Sequence, residues 1–171
     1  MRVWIRNLTK DTDMEVILPI DERTLDNIIH PNDEYIILDS EILDVGKYDF
    51  IDELNDFLFD CKENGVSLET LEVLSKVLLY HEVIEAVENE SYMIVDFDME
   101  TAHWNYGDGG DITSHADKGM CLYDTGLYNP FPCEVKEEMY DWINWEYVWI
   151  NANCEGWQTV TVNGHGYLVH K

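Results

Sequence analysis

The side chains best suited to zinc are Cys121, Cys133 and Cys154 together with His103, His115, His165 and His170. Zinc sites recur as C-x2–4-C or H-x3–5-H pairs. No cysteine pair here has that spacing. His165 and His170 do, but on a stretch that reads as a hairpin arm with a glycine between them. Calcium fares no better. "NYGDGGD" (Asn105–Asp111) opens like a cation loop, yet the twelfth position counted from Asp108 is Gly119, where a bidentate glutamate belongs. A phosphate loop needs GK[ST], which is missing. Paired carboxylates flanked by Trp104, Trp142, Trp145, Trp149 and Trp157 suggest a glycosidase, but no catalytic motif accompanies them. We therefore expect no catalytic residues, no metal and no cofactor.

What remains is the carboxylates acting together. Asp and Glu number 36 against 10 Lys and Arg, a formal charge of −26. A compact chain of this length has a radius of gyration of about 15 Å and a diameter of about 40 Å. Duplex DNA carries one charge per ~1.7 Å, so 26 charges equal about 44 Å of duplex. The chain is charged, per unit length, much as DNA is. Such a surface repels nucleic acid and attracts proteins that bind it. Halophilic adaptation and plain solubility are the competing explanations.

Three segments must carry these acids. Residues 1–45 read as α+β: "RVWIRNL", "MEVILPI" and "EYIILDS" as strands, and a helix capped by Asp21 and stopped at His30-Pro31. Residues 46–103 read as mainly helical. "YDFIDELNDFLFDCKENG" places Phe50, Leu54, Phe57, Leu58 and Cys61 on one face, with Asp49 as the expected cap and Gly65 as the stop. A second helix is capped by Ser67, another starts near Tyr80–Glu82, and "SYMIVDFDM" closes the segment as a strand. Residues 104–171 hold two loops, a helix from about Glu134, and a hairpin turning at Asn163-Gly164.

The acids expected to form the surface are Asp52, Glu53, Asp56, Asp60, Glu63, Glu69, Glu72, Glu82, Glu85 and Glu88 on helices. Asp33, Glu34, Asp39, Glu41 and Asp44 join them around the third strand. Crowding them costs stability by self-repulsion, so moderate salt or mildly acidic pH should stabilise the fold. Without CxxC pairs, an export signal or an apolar run of about 20 residues, the chain reads as cytoplasmic, with reduced thiols and no membrane partner.

Three pieces in order, "LPIDERTLDNII…NDEYIILDSE", "YDFIDELNDFL" and "YDWINWEYVWINANCEGWQTVTVNGHGYLV", resemble the ArdA antirestriction proteins of mobile genetic elements. Trp142-Ile143-Asn144-Trp145-Glu146 stands where that family writes "YIDYE", and Gly156 where it has a later glycine. The chain departs from it at Asn144, in place of Asp, and at Trp149-Ile150-Asn151, in place of "GRD". The resemblance implies an elongated α+β protein of three small domains. It implies a homodimer formed through the C-terminal domain, with acids imitating the phosphates of bent DNA in the groove of a Type I restriction-modification enzyme. The specificity and methyltransferase subunits are then the partners, and nucleic acid is not. The alternatives are a mimic aimed at another DNA-binding protein, or an acidic structural module without such a partner.

On one continuous helix, Trp142, Trp145 and Trp149 form one stripe and Ile143, Tyr147 and Ile150 a second. The expectation is that Ile143, Tyr147 and Ile150 pack inward and that Trp145 or Trp149 reaches a dimer contact.

Overall fold

The computed structural model describes residues 1–47, 49–97 and 115–171. Tyr48, the strand end Asp98-Met99, His103, Trp104 and "NYGDGGD" lie outside them. The fold is α+β, with two small antiparallel sheets, and it divides into two compact units, Met1–Ser91 and Tyr92–Lys171.

In the first unit, β1 (Arg2–Asn7), β2 (Thr12–Ile17) and β3 (Tyr35–Ser40) form a sheet in the order β2-β1-β3. Alternation along β1 sends Val3, Ile5 and Asn7 inward. Helix α1 (Glu22–Ile28) starts at Asp21, whose carboxylate accepts the Thr24 N–H. Helices α2 (Ile51–Glu63), α3 (Leu68–Ser75) and α4 (Tyr80–Glu88) follow. Ser67 caps α3 as expected. Asp49 does not cap α2; its side chain accepts the Gly46 N–H at 2.6 Å, leaving Phe50 at the cap position without a side-chain bond.

Gly65 ends α2 at φ 76°, where Val66 N–H reaches the Cys61 carbonyl and Gly65 N–H the Lys62 carbonyl. Helix α4 ends by the same pair of bonds, but its left-handed residue is Glu90 at φ 49°. The sequence boundary at residue 46 runs inside this unit. Buried Asn55 of α2 accepts the Ile20 N–H at 2.9 Å and donates to the Ile20 carbonyl at 3.0 Å.

In the second unit, β4 (Met93–Phe97), β5 (Gln158–Val162) and β6 (His165–His170) pair in the order β4-β6-β5. This corrects the placing of β4 with the helical segment: Met93 to Phe97 pair with His170 to Gly166. The β5–β6 turn is Asn163-Gly164 as expected, with both residues at positive φ.

Helices α5 (His115–Asp124) and α6 (Trp145–Cys154) pack against each other and cover the cluster of Phe97, Leu122, Trp149, Ala152, Trp157 and Leu168. They approach backbone to backbone at Gly119. A β-carbon there would collide with the Trp145 carbonyl oxygen and lie 2.9 Å from Trp149 N.

The expected helix from Glu134 does not form as one piece. A 3-10 helix covers Glu137–Trp142, Ile143 is extended, and α6 begins only after Asn144, whose side chain accepts the Tyr147 N–H at 3.1 Å. That cap is an alternative partner for an N–H that a continuous helix would bond to a carbonyl.

Candidate acidic surface

The first unit carries 23 Asp and Glu against 7 Lys and Arg, a formal −16. Helix α2 orders its acids most clearly. Buried Ile51, Leu54, Asn55, Phe57, Leu58 and Cys61 take one face. At 3.6 residues per turn, Asp52, Glu53, Asp56, Asp60 and Glu63 project within an arc of about 100° on the opposite side. All five are exposed. From Asp52 to Glu63 the axial rise is about 16 Å, about 4 Å per interval between charges, at about 1.5 Å per residue. One DNA strand places a phosphate every ~3.4 Å. Lys62 lies off this arc, on the flank of the helix. At the start of α4, burial and then the charges of Asp49 and Glu53 push the Tyr80 hydroxyl up to about 12.

The other expected acids divide. Glu34, Asp39, Glu41, Asp44, Glu69, Glu85 and Glu88 are exposed. Glu41 also accepts the Arg2 N–H at 3.0 Å, and Asp39 the Ser40 N–H at 2.9 Å. Glu72 and Glu82 are half-buried, and Glu82 accepts the Leu79 N–H that opens α4.

Asp33 is not a surface acid in this sense. Its carboxylate takes Lys10 Nζ at 2.6 Å, Asn7 Nδ2 at 2.9 Å and the Tyr35 hydroxyl at 3.3 Å. The Lys10 ammonium, with the Asn7 amide, holds it below the usual carboxylate range. Its charge is spent on tying β1, its turn and β3 together. Sequence carries no mark of this, because the three partners come from separate positions.

The aromatic stretch is reversed from expectation. Trp145 and Trp149 are 2% and 5% exposed and form core with Val148 and Ala152, at i, i+3, i+4 and i+7 of α6. The Trp145 indole donates to the Tyr140 carbonyl at 3.0 Å and stands among the rings of Tyr123, Phe131 and Tyr140. Lys118 Nζ lies 5.2 Å from the Trp149 ring centre. Tyr147 and Ile150 point outward at 61% and 43% exposure, and Ile143 is half-buried. Trp142, off the helix, is 86% exposed. The break at Ile143 takes Trp142 and Ile143 off the helix, and packing against α5 and the second sheet decides which stripe of α6 faces inward.

Sequence reasoning passed over the exposed acids just before this motif, Glu134, Glu137, Glu138 and Asp141, although "EVKEEMYDW" signals them. Glu146, the acid of the motif itself, is exposed, with Oε1 3.8 Å from His115 Nδ1. Tyr140 donates to Asp124 at 3.0 Å. Burial nevertheless raises the Asp124 carboxyl, helped by the charge of Glu137.

Among the described residues, no three His, Cys, Asp or Glu side chains gather as a metal site, and no helix is long and apolar enough to cross a membrane. The cysteines among them are free thiols. Burial pushes Cys61 and Cys121 up to about 11. No protein-family model matches the chain, and comparison with curated proteins gives no match.

Proposed function

We propose that the chain is a DNA mimic that occupies the DNA groove of a Type I restriction-modification enzyme, in the manner of the ArdA proteins it resembles. The observation that carries this reading is the α2 stripe, where five exposed carboxylates share one arc at a spacing near that of strand phosphates. A groove built for DNA presents Lys and Arg to such a row. Bound DNA gains affinity by releasing condensed counterions. A folded row of carboxylates supplies the opposing charge and offers no phosphodiester to cut and no base to methylate. Inhibition is then occupancy, and it needs no catalytic group, metal or cofactor.

The same reading includes an elongated arrangement in three parts and a homodimer. With Trp145 and Trp149 inside, we place the dimer contact on the exposed aromatic and aliphatic side chains beside them, Trp142, Tyr147 and Ile150. Trp and Tyr are typical of interface centres. Joining two chains doubles the charge to about −52, the charge of about 88 Å of duplex at ~1.7 Å per charge.

The deciding experiment is displacement of labelled DNA from a purified Type I specificity-methyltransferase core by the full chain, at several salt concentrations. Displacement that weakens steeply as salt rises supports the proposal, because exposed charges are screened over about 8–10 Å near physiological ionic strength. No displacement at tens of micromolar, or displacement indifferent to salt, overturns it. A histone-like protein assayed in parallel tests the reading of a mimic aimed elsewhere.

A further inference from the structure

The first unit contains an open cleft of about 580 Å³ that the charge argument does not use. Its floor is apolar: Ile5, Leu25, Ile36 and Ile37, from β1, α1 and β3. The volume falls within the about 300–1,000 Å³ typical of ligand sites. Phe50 lines one lip and is 64% exposed, an unusual degree of exposure for a phenyl ring.

The rim is acidic on both sides. Asp26 and Glu34 stand on the α1 and β3 side, and Asp49 and Asp52 on the α2 side. No lysine or arginine occurs among the described lining residues. Lys10 bonds to Asp33, the fifth carboxylate of the lining, and leaves the other four without that compensation.

We propose that this cleft binds a cationic, amphipathic peptide segment of a partner protein, with one or two large aliphatic side chains on the floor and Lys or Arg on the rim. Charge decides the occupant. A second copy of this chain, at −26, is repelled from an acidic rim. A neutral apolar segment would fill the floor but leave four carboxylates facing it. A segment with cationic groups on both sides of an aliphatic pair satisfies floor and rim together. Buried apolar area then supplies affinity, and the flanking charges supply orientation. The proposal goes beyond the mimicry reading and does not rest on it, because it concerns one peptide in one cleft and not a field spread along helices.

The test is a titration of the isotope-labelled full chain with a blocked peptide of sequence Ser-Arg-Leu-Leu-Arg-Ser, followed by NMR. Backbone shifts should cluster at Leu25, Ile29, Ile36 and Ile37. Replacing both leucines by serine, or both arginines by citrulline, should weaken binding at least tenfold. Phe50→Ala should do the same and should fold normally, since the Phe50 carbonyl, not its ring, accepts the first α2 bond, from Leu54 N–H.

Shifts scattered over the acidic helices, or equal binding by the serine peptide, would overturn the cleft in favour of unspecific charge attraction. Equal shifts from hexylammonium ion would overturn the peptide in favour of a small cation. No shift at 1 mM peptide would overturn both. Two variants separate this proposal from mimicry. Asp56→Asn with Asp60→Asn and Glu63→Gln, away from the cleft, should keep peptide binding while weakening DNA displacement. Phe50→Ala should keep DNA displacement.

Discussion

Gly119→Ala should destabilise the second unit more than any other single-methyl change in it. The added β-carbon would overlap the Trp145 carbonyl oxygen, lie 2.9 Å from Trp149 N and 3.1 Å from the Trp145 carbonyl carbon. Favourable carbon contacts sit at about 3.5–4.0 Å. The obstacle is backbone on both counts, so no rotamer change relieves it, and α5 and α6 must part by about 1 Å. A gap of that size forfeits a quarter to a half of each dispersion contact across it. The contacts at stake are those of Met120, Leu122, Trp145, Val148 and Trp149. Overpacking typically costs about 1–3 kcal/mol, and a backbone-to-backbone clash belongs at the upper end, about 3 kcal/mol. For a unit of this size that lowers Tm by about 12–24 °C, at about 4–8 °C per kcal/mol.

The assay is thermal unfolding followed by near-ultraviolet circular dichroism, where the tryptophans of this unit report directly. Gly126→Ala is the control. It meets nothing within 4 Å but sits at φ 72°, so it should cost about 1–2 kcal/mol from backbone strain alone. A Gly119→Ala protein within 4 °C of wild type, or one more stable than Gly126→Ala, would refute the close-packing argument.

Glu90→Gly should stabilise the first unit by about 0.5–1 kcal/mol in urea unfolding, because glycine removes the left-handed strain at φ 49° and an acid from a helix C-terminus; Glu90→Ala should recover only the charge effect. Asn55→Ala should cost about 2–3 kcal/mol, since it strands both the N–H and the carbonyl of Ile20. Stability should peak at mildly acidic pH. Asp124 is raised, so its folded form takes up a proton more readily and stability grows as pH falls toward its folded value; Asp13, Asp21 and Asp33 are lowered by bonds to Arg6, Thr24 and Lys10, so their contribution holds above the ordinary carboxylate range and is lost as pH falls through their folded values. A Tm that falls steadily from pH 7 to pH 5 would contradict this, and Asp124→Asn should flatten the rise. Converting Asp52, Glu53, Asp56 and Asp60 together to amides should weaken inhibition roughly thirtyfold, about 2 kcal/mol at about 0.5 kcal/mol per exposed pair. A Trp142→Ala, Tyr147→Ser, Ile150→Ser chain should sediment as a monomer at concentrations where wild type dimerises; equal dimerisation would remove that face from the interface.

Local signals were legible in the sequence because they act over a few residues. Asp21 and Ser67 cap helices through an N–H three positions on, Gly65 ends α2 because it alone adopts φ 76° at no steric cost, and Asn163-Gly164 suits a two-residue turn whatever surrounds it. The net charge and the apolar face of α2 were equally open to counting. Tertiary structure decided the rest, for reasons no count contains. Periodicity groups residues into stripes but does not say which stripe faces the core: the extended residue Ile143 takes Trp142 and itself off the helix, and packing against α5 and the second sheet turns Trp145 and Trp149 inward and leaves Tyr147 outward. A strand's sequence does not name its neighbour, so β4 joined β6, more than 65 residues away, and not the helices beside it. An aspartate's sign does not reveal its partner: Asp33 looks like Glu34 in sequence, but the fold brings it Lys10, Asn7 and Tyr35 and makes it a fastening of the sheet. The cleft beneath Phe50 exists because three separated elements meet around an apolar floor, a conjunction that only the folded chain creates.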